Sequence, residues 1–258
     1  MSEKHPFANE AELCADFIQW AQVQGWEAYP ETRGWDIVLV DLSTGTQIGV
    51  QAKMAFNLKV LAQCCESYCL REDGPDVRAV LVPKFDESAK AICEHMGFAY
   101  FAFLSGDCYT KQHRFWPQSL NFESPAGTKL PQWSPDRRLE LPAYIPDVVA
   151  GVKSPKTMSL WKVKALKIAA LVELRGWVKR SDFKEYGISP TLWLQPSTGF
   201  LVPMGDAKFG KGPRTPDFAS QHPAVWPQVI DDMRKDICQK EVNQEKGYVE
   251  QSSAVEHL

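Results

Sequence analysis

The stretch WDIVLVDLSTGTQIGVQAK, residues 35–53, decides how the first half of the chain folds. Two apolar runs, WDIVLVD and TQIGVQAKM, lie on either side of the polar residues LSTG. Apolar runs of this length around a short polar segment with Gly are typical of two antiparallel strands joined by a turn. The stretch therefore predicts a β-hairpin.

The register of this hairpin decides which side chains share a face of the sheet. If Thr44 and Gly45 are the two turn residues, Asp36 lies opposite Lys53. Side chains alternate between the two faces of a strand, and directly opposed residues share a face. We therefore expect Asp36, Gln51 and Lys53 on one face of the sheet.

The segments around the hairpin alternate between helical and strand patterns. Their order, α-β-β-α-β-α-β, predicts an α/β fold with a mixed sheet flanked by helices. The first helix places Leu13, Phe17, Trp20 and Ala21 on one face, and Gly25 ends it. The later segments are a helix at 57–70, a strand at 77–83, a helix at 87–96 and a strand at 98–103.

The polar residues of the predicted hairpin are of the types that phosphodiester hydrolysis needs. A divalent metal polarises the phosphoryl group, oxygen atoms hold the metal, and a cation stabilises the attacking water or the developing charge. The pattern Asp36-x14-Gln51-x-Lys53 supplies two oxygen ligands and one cation, and Glu12 lies in the helix directly before it. An Asp and a Lys on adjacent strands also form ordinary surface ion pairs, so the spacing alone leaves a structural role open.

Several motifs of this region resemble a bacterial family of PD-(D/E)XK phosphodiesterases. They fall within about residues 10–105 and read RGWDIVLV, VQAKMAFNL, VLAQ, AVLVP and GFAYFAF. The triplet Q-A-K is similar to that of Mrr-type restriction endonucleases. The resemblance implies a restriction-endonuclease-like fold and metal-dependent hydrolysis of DNA, and it suggests that Asn57 caps the following helix.

The resemblance also implies a role for each motif residue. Glu12 matches the acidic helix position, Asp36 the first metal ligand, Gln51 the second, and Lys53 the catalytic lysine. The backbone carbonyl of Ala52 is a further candidate ligand, and the expected cofactor is Mg²⁺ or Mn²⁺. Gln51 stands where the family usually has a carboxylate. Its amide oxygen still binds a metal, but the missing negative charge weakens the affinity.

The whole chain divides into four predicted segments. These are a nuclease-like domain at 1–116, a proline-rich connector at 117–157, a winged-helix-like module at 158–206, and a basic loop with a charged tail at 207–258. The module is predicted from a strong helix after Ser159, a short helix that Ser181 would cap, a third that opens at Ser189-Pro190, and a strand pattern at GFLVP.

A basic region overlaps the start of this module. Residues 151–187 contain nine bases and three acids, a net charge of +6, although the whole chain carries −3. Basic residues of this region are expected to contact DNA phosphates. The candidates are Lys162, Lys164, Lys167, Lys179 and Arg180. The third helical segment, PTLWLQ, has no Arg or Lys, so a protein-binding role for the module stays open.

Cysteine usage and the lack of long apolar runs indicate where in the cell the protein is expected. The seven cysteines are an odd number without a C-x-x-C pair, which favours reduced thiols over a disulfide framework or a zinc site. No apolar run approaches the roughly 20 residues that cross a bilayer, and the first residues do not resemble a secretory signal. We therefore expect a cytoplasmic protein without a membrane partner.

Together these patterns predict a divalent-metal-dependent endonuclease that acts on DNA. A catalytically inactive nuclease-like protein that binds nucleic acid or another partner is the alternative. A structural or regulatory protein with a winged-helix DNA reader is a third reading. DNA is the expected partner, and a homodimer is left open by the sequence.

Overall fold

The computed structural model describes residues 6–66, 73–104, 114–117, 120, 133–152 and 158–255, with side chains as far as 243. It divides the chain into unit 1, Met1–Leu141 with Val148–Thr157, and unit 2, Pro142–Asp147 with Met158–Leu258. The described parts of the predicted connector therefore belong to the two units. Its other residues, together with Cys69 and Cys108, lie outside the described residues.

Unit 1 is built on a mixed sheet. Its elements are α1 (Glu10–Val23), β1 (Trp26–Thr32), β2 (Trp35–Asp41), β3 (Gln47–Ala52), α2 (Leu58–Cys65), β4 (Asp73–Gly74), β5 (Val77–Val82), α3 (Glu87–His95), β6 (Ala99–Phe103), β7 (Phe115–Trp116) and β8 (Arg137–Arg138). Six strands form one sheet in the order β1-β2-β3-β5-β6-β7, while β4 and β8 pair separately. β1, β2 and β3 are antiparallel, and β3, β5 and β6 are parallel. The predicted α/β fold with a mixed, helix-flanked sheet is confirmed.

Helices cover both faces of this sheet. The predicted inner face of α1 is buried and packs with alternate residues of the strands, among them Ile37 and Val50. The intervening strand residues, such as Val38 and Val80, pack with α2 and α3 on the other face. Asn57 caps α2 as expected, because its Oδ1 accepts hydrogen bonds from the N–H groups of Lys59 and Val60.

Strand β1 was missing from the sequence prediction. Its sequence, WEAYPET, contains Pro30, which cannot donate a hydrogen bond and argues against a strand inside a sheet. β1 lies at the edge of the sheet, where Pro30 pairs only with Ile37 of β2. An edge strand tolerates a proline because one side of its backbone has no partner strand.

The register predicted for the β2–β3 hairpin is wrong by two residues. Ile37 lies opposite Val50, where the predicted register would place Ala52, and this is the last pair of the two strands before Asp36. The cause is the loop, which comprises the five residues 42–46, LSTGT, instead of two turn residues. Its conformation is set by Asp41, whose N–H donates to the Thr46 carbonyl and whose carboxylate accepts from the backbone and hydroxyl of Ser43.

Unit 2 is organised around one central helix. Its elements are α4 (Leu160–Arg175), α5 (Arg180–Glu185), α6 (Thr191–Leu194), β9 (Leu201–Gly205), β10 (Lys208–Lys211), α7 (Phe218–Gln221) and α8 (Val225–Val255). The predicted helix after Ser159 is confirmed as α4, which Ser159 caps and which Gly176 ends with a φ of 80°. Most of its residues between 163 and 172 are buried, and Leu160 is 41% exposed at the start.

Three local predictions for unit 2 are corrected. α5 begins at Arg180, and Asp182, not Ser181, satisfies the helix start by accepting from the N–H of Lys179. Lys208 belongs to β10, which pairs with β9, and not to a loop. The charged C-terminal segment is part of α8, which buries Val229 and Met233 against the core because these apolar residues recur at helical spacing.

Among the helices of the described residues, none combines the length and the apolar character that crossing a bilayer requires.

Candidate active site

Asp36 lies at a break in the side-chain alternation of β2. Trp35 packs on the α2 face of the sheet and Ile37 on the α1 face, although in a regular strand they would share one face. The Asp36 carboxylate reaches the neighbouring strand, where its Oδ2 accepts a hydrogen bond of 2.8 Å from the N–H of Ala52. It therefore takes the place of a backbone carbonyl at the end of β3.

The surroundings of Asp36 are crowded with charge. Burial raises the pKa of Asp36 above its ordinary value, and the negative charge of Glu10 adds to this shift. The Ala52 hydrogen bond and the positive charge of Lys53 lower the pKa, but they do not outweigh burial. Asp36 is thus a carboxylate whose ionised form would be stabilised by further positive charge.

Lys53 pairs with Glu10 and not with Glu12. Its Nζ lies 3.0 Å from the Glu10 Oε2, and the two side chains are 18% and 28% exposed. The Glu12 carboxylate instead accepts from the N–H of Ala8, while the N–H of Glu12 donates to Asn9, which closes the start of α1. The structure therefore places Glu10, and not Glu12, beside Lys53.

Helical geometry explains this correction. Glu10 precedes the buried residues Leu13, Cys14 and Phe17 by three, four and seven positions, the spacing of one helix face. Glu12 is two positions further along and points away from that face. The signal was present in the sequence, because the predicted inner face of α1 extends backwards to Glu10.

Glu31 is a further carboxylate beside Asp36. Burial raises the pKa of Glu31, and the charge of Asp36 raises it further. Its backbone has a φ of 46°, which is uncommon for a residue other than Gly. Its Oε1 accepts a hydrogen bond of 2.8 Å from the N–H of Gly151, so a segment distant in sequence holds this side chain.

Gly151 and Cys14 pack beside the carboxylates of Glu10, Glu31 and Asp36. A Cβ placed on Gly151 would lie 3.1 Å from both the Cys14 sulfur and the Glu10 backbone carbon, so only Gly fits without displacement. Burial raises the pKa of the Cys14 thiol, with further contributions from the charges of Asp36, Glu10 and Glu31. We call Glu10, Glu31, Asp36 and Lys53 the acidic-lysine site.

Gln51 belongs to different surroundings. It is 3% exposed, and its Nε2 donates to the Gly34 carbonyl at 2.8 Å. It lines a cavity with Trp35, Gln63 and Arg78, whereas its neighbours in β3 pack towards α1. The expectation that Gln51 shares one face with both Asp36 and Lys53 is corrected: Lys53 follows the end of β3, and its long side chain reaches Glu10 on α1.

The acidic-lysine site meets the ligand requirements of some divalent metals and not of others. In the described ranges, no group of three or more His, Cys, Asp or Glu side chains is placed to hold a metal ion. Mg²⁺ is commonly bound by one or two carboxylates with several waters, and it does not require such a group. Asp36, with Glu10 or Glu31 and the carbonyl of Ala52, fits this looser requirement.

The predicted DNA-contacting cations do not share one environment. Lys162 lies 5.8 Å from the Phe218 ring, and Lys164 donates to the Gly187 carbonyl at 3.1 Å. Lys167 is half-buried on α4. Lys179 and Arg180 are exposed at the start of α5.

Comparison with protein-family models, curated proteins and solved structures found no match to this chain.

Proposed function

We propose that unit 1 hydrolyses phosphodiester bonds of DNA with the help of Mg²⁺ or Mn²⁺. The observation that carries the proposal is the Asp36 carboxylate, which the Ala52 N–H holds at the end of β3 within the electrostatic reach of Lys53 and two glutamates. Carboxylates gathered with one lysine at a strand end are the residue types that metal-dependent phosphodiester hydrolysis needs.

The order of the elements supports the same proposal. α1 precedes the antiparallel strands β1, β2 and β3, and α2 then leads to β5, which is parallel to β3. This arrangement agrees with the restriction-endonuclease-like fold implied by the sequence motifs, and it brings α1 and the end of β3 together at Glu10 and Lys53.

Each residue of the acidic-lysine site has a distinct role in this proposal. Asp36 and the Ala52 carbonyl would hold the metal, with one oxygen from Glu10 or Glu31. When bound, the metal would polarise the phosphoryl group and favour ionisation of water. Lys53 would orient the attacking water or stabilise negative charge on the phosphate, and Glu10 would position its ammonium group.

Unit 2 would hold the nucleic acid as a winged-helix-like module. Three helices, α4, α5 and α6, are followed by the β9–β10 hairpin, which is the order of elements in such modules. The short helix α6, Thr191–Leu194, has no Arg or Lys, so contacts to phosphates are better supplied by other parts of the unit.

Cleavage of supercoiled plasmid and of single-stranded DNA with Mg²⁺ or Mn²⁺ tests the enzymatic proposal. Asp36→Ala and Lys53→Ala are each expected to lower the cleavage rate by about 100-fold or more. Lys59→Ala is the matched control, because Lys59 is exposed on the adjacent helix α2 and should be dispensable. Cleavage that survives both site substitutions would show that the activity belongs to another site or a contaminant.

A catalytically inactive nuclease-like binding protein is the second candidate function. It is favoured by Gln51, whose buried amide donates to Gly34 instead of facing Lys53. Under this alternative, the wild-type protein would bind DNA without cutting it in either metal. Binding would then be the same in Lys53→Ala and in the wild type.

A further inference from the structure

A cluster of cations surrounds one tryptophan on unit 2. The side-chain charges of Arg175, Lys179 and Lys208 lie 5.9, 5.4 and 4.8 Å from the centre of the Trp177 ring. Next to them, the Arg180 guanidinium lies 5.8 Å from the Phe209 ring. We call these four cations and the two rings the Trp177 surface.

Three separate segments of the chain build this surface. Gly176 ends α4 in the left-handed conformation and turns the chain into Trp177. Val178 then exchanges two backbone hydrogen bonds of 2.9 Å with Phe209, which fixes the β9–β10 hairpin against the end of α4. Lys208 is thereby brought beside Lys179, although 29 residues separate them in sequence.

The cations of this surface are incompletely neutralised. Arg175 has Asp182 at 3.6 Å, but within the described part of the chain no carboxylate lies within ion-pair distance of Lys179, Arg180 or Lys208. The rings supply only part of the compensation, because a cation–π contact at an exposed site is worth about 0.5–1 kcal/mol. Cations gathered at one place repel each other, and a bound anion would remove that repulsion.

We propose that the Trp177 surface binds the phosphate backbone of nucleic acid. Arg180 and Lys179 are exposed at the start of α5, and Lys208 lies half-buried on a strand of the hairpin. A phosphate backbone presents negative charges at regular intervals, so it can contact several of these cations at once. The choice of nucleic acid as the polyanion rests on the proposed function, whereas the surface itself rests on the geometry.

The proposal changes the residues assigned to DNA binding. Lys179 and Arg180 keep their assignment and are joined by Arg175 and Lys208. Lys162 and Lys164 contact Phe218 and the Gly187 carbonyl, away from the Trp177 ring. The sequence placed Lys208 in a basic loop that could contact phosphates, but its position beside Trp177 depends on the pairing of Val178 with Phe209.

Equilibrium binding of the full chain to a fluorescent DNA duplex of about two turns of helix tests the proposal. The measurement uses Lys53→Ala protein with a chelator, so that cleavage does not interfere. The test variant also carries Lys179→Gln, Arg180→Gln and Lys208→Gln. We expect its Kd to rise by at least about 10-fold at 50 mM salt. The logarithm of the association constant should also decrease less steeply with the logarithm of the salt concentration, with a slope smaller in magnitude by about three, one for each lost contact.

The control removes the same charge elsewhere on unit 2. Lys184→Gln, Arg234→Gln and Lys235→Gln change exposed cations outside the Trp177 surface and should leave the Kd within about twofold of the Lys53→Ala background. Equal weakening by both triple variants, or none by the test variant, overturns the proposal. Polyglutamate that displaces the duplex as efficiently per charge as unlabelled DNA overturns the assignment to nucleic acid.

Separate cleavage assays distinguish failure of this proposal from failure of the proposed function. DNA cleavage that depends on Asp36 and Lys53 but binding that ignores the Trp177 surface would overturn this inference alone. Absence of cleavage together with binding that depends on the Trp177 surface would support it and would overturn the enzymatic proposal.

Discussion

At the scale of single residues, Glu10 and Glu12 show how two neighbouring carboxylates take opposite roles. Glu10 lies on the buried face of α1 and pairs with Lys53, while Glu12 accepts from the Ala8 N–H at the helix start. The rotation of about 100° per residue along an α-helix separates them. A substitution of Glu10 should therefore affect the proposed catalysis, and a substitution of Glu12 should affect stability.

Glu10→Gln is expected to lower the DNA cleavage rate, because Lys53 loses the charge that positions it. Its effect on stability should be within about 1 kcal/mol, as for other partly exposed ion pairs. Glu12→Gln should retain the cleavage rate and lose at most about 1 kcal/mol of the free energy of unfolding, through a weaker helix start. Rates and urea unfolding of both variants check this. A reversed pattern would restore Glu12 to the site.

Asp36→Asn provides a test of the buried charge in metal-free protein. Because folding raises the pKa of Asp36 above 3.8, the folded state holds this proton more tightly than the unfolded state. The stability that Asp36 contributes is therefore greatest below its unfolded pKa and decreases as pH rises through its folded pKa. Asp36→Asn, which keeps an oxygen for the Ala52 N–H, should thus raise the Tm more at pH 7 than at pH 4.

The expected size of this effect is small but measurable. Each kcal/mol shifts the Tm of a domain of this size by about 2–4 °C. If the Tm difference between wild type and Asp36→Asn is the same at both pH values, the pKa of Asp36 is not raised by burial in the folded protein. Added Mg²⁺ should stabilise the wild type more than the variant, because only the wild type offers a carboxylate to the metal.

At the scale of secondary-structure elements, the β2–β3 loop shows how the length of a loop and the register of its strands depend on each other. Asp41 accepts hydrogen bonds from the backbone and hydroxyl of Ser43 and from the hydroxyl of Thr44. These bonds stabilise the five-residue loop LSTGT, and Ile37 lies opposite Val50 in the strands that it joins. A two-residue shift by itself preserves the face of each paired residue, because strand side chains repeat every two residues. The changed surroundings of Asp36 come instead from the break in side-chain alternation between Trp35 and Ile37.

Asp41→Ala should destabilise the hairpin loop without altering the pairing of the strands. The expected loss is about 1 kcal/mol, because the hydrogen bonds of Asp41 are exposed and water can replace them. The hydrogen bonds from Ser43 lower the pKa of Asp41, so its stabilising effect is present at neutral pH and is lost as pH falls through that lowered value. Thermal unfolding at pH 7 and pH 3 should show a smaller difference between wild type and variant at pH 3.

At the scale of the whole molecule, apolar packing protects the thiols. Cys14, Cys64 and Cys93 are buried in the cores on the two faces of the sheet, while Cys238 is exposed on α8. Burial raises the pKa of each buried thiol, and that of Cys93 rises to about 12. A thiol with a raised pKa contains little thiolate at neutral pH, and the thiolate is the reactive form.

Alkylation of the native protein at pH 7.5, followed by peptide mapping, should therefore label Cys238 before the buried thiols Cys14, Cys64 and Cys93. Cys14, Cys64 and Cys93 should react at least about 100-fold more slowly, at a rate limited by opening of the core. Cys238→Ser identifies the signal of the exposed thiol, and denaturant should equalise the rates. Rapid labelling of Cys64 in native protein would contradict the described packing of α2 on the sheet.

The sequence by itself determined the parts of this protein that depend on near neighbours. The buried face of α1 and the limits of α4 at Ser159 and Gly176 follow from spacing and from cap residues. The cap of α2 at Asn57 was implied by the resemblance of its motif. The mixed sheet is also predicted by the sequence, because helix and strand patterns alternate along the first part of the chain.

Only the tertiary structure decided which polar residues meet. The pairing of Lys53 with Glu10, the contact of Glu31 with Gly151 and the approach of Lys208 to Trp177 join positions 43, 120 and 31 residues apart. Local propensity carries no information about such distances, since they depend on loop length, strand register and the packing of whole elements. The sequence therefore predicts the hairpin at 35–53, while the tertiary fold determines which residues join Asp36 and Lys53 in the acidic-lysine site.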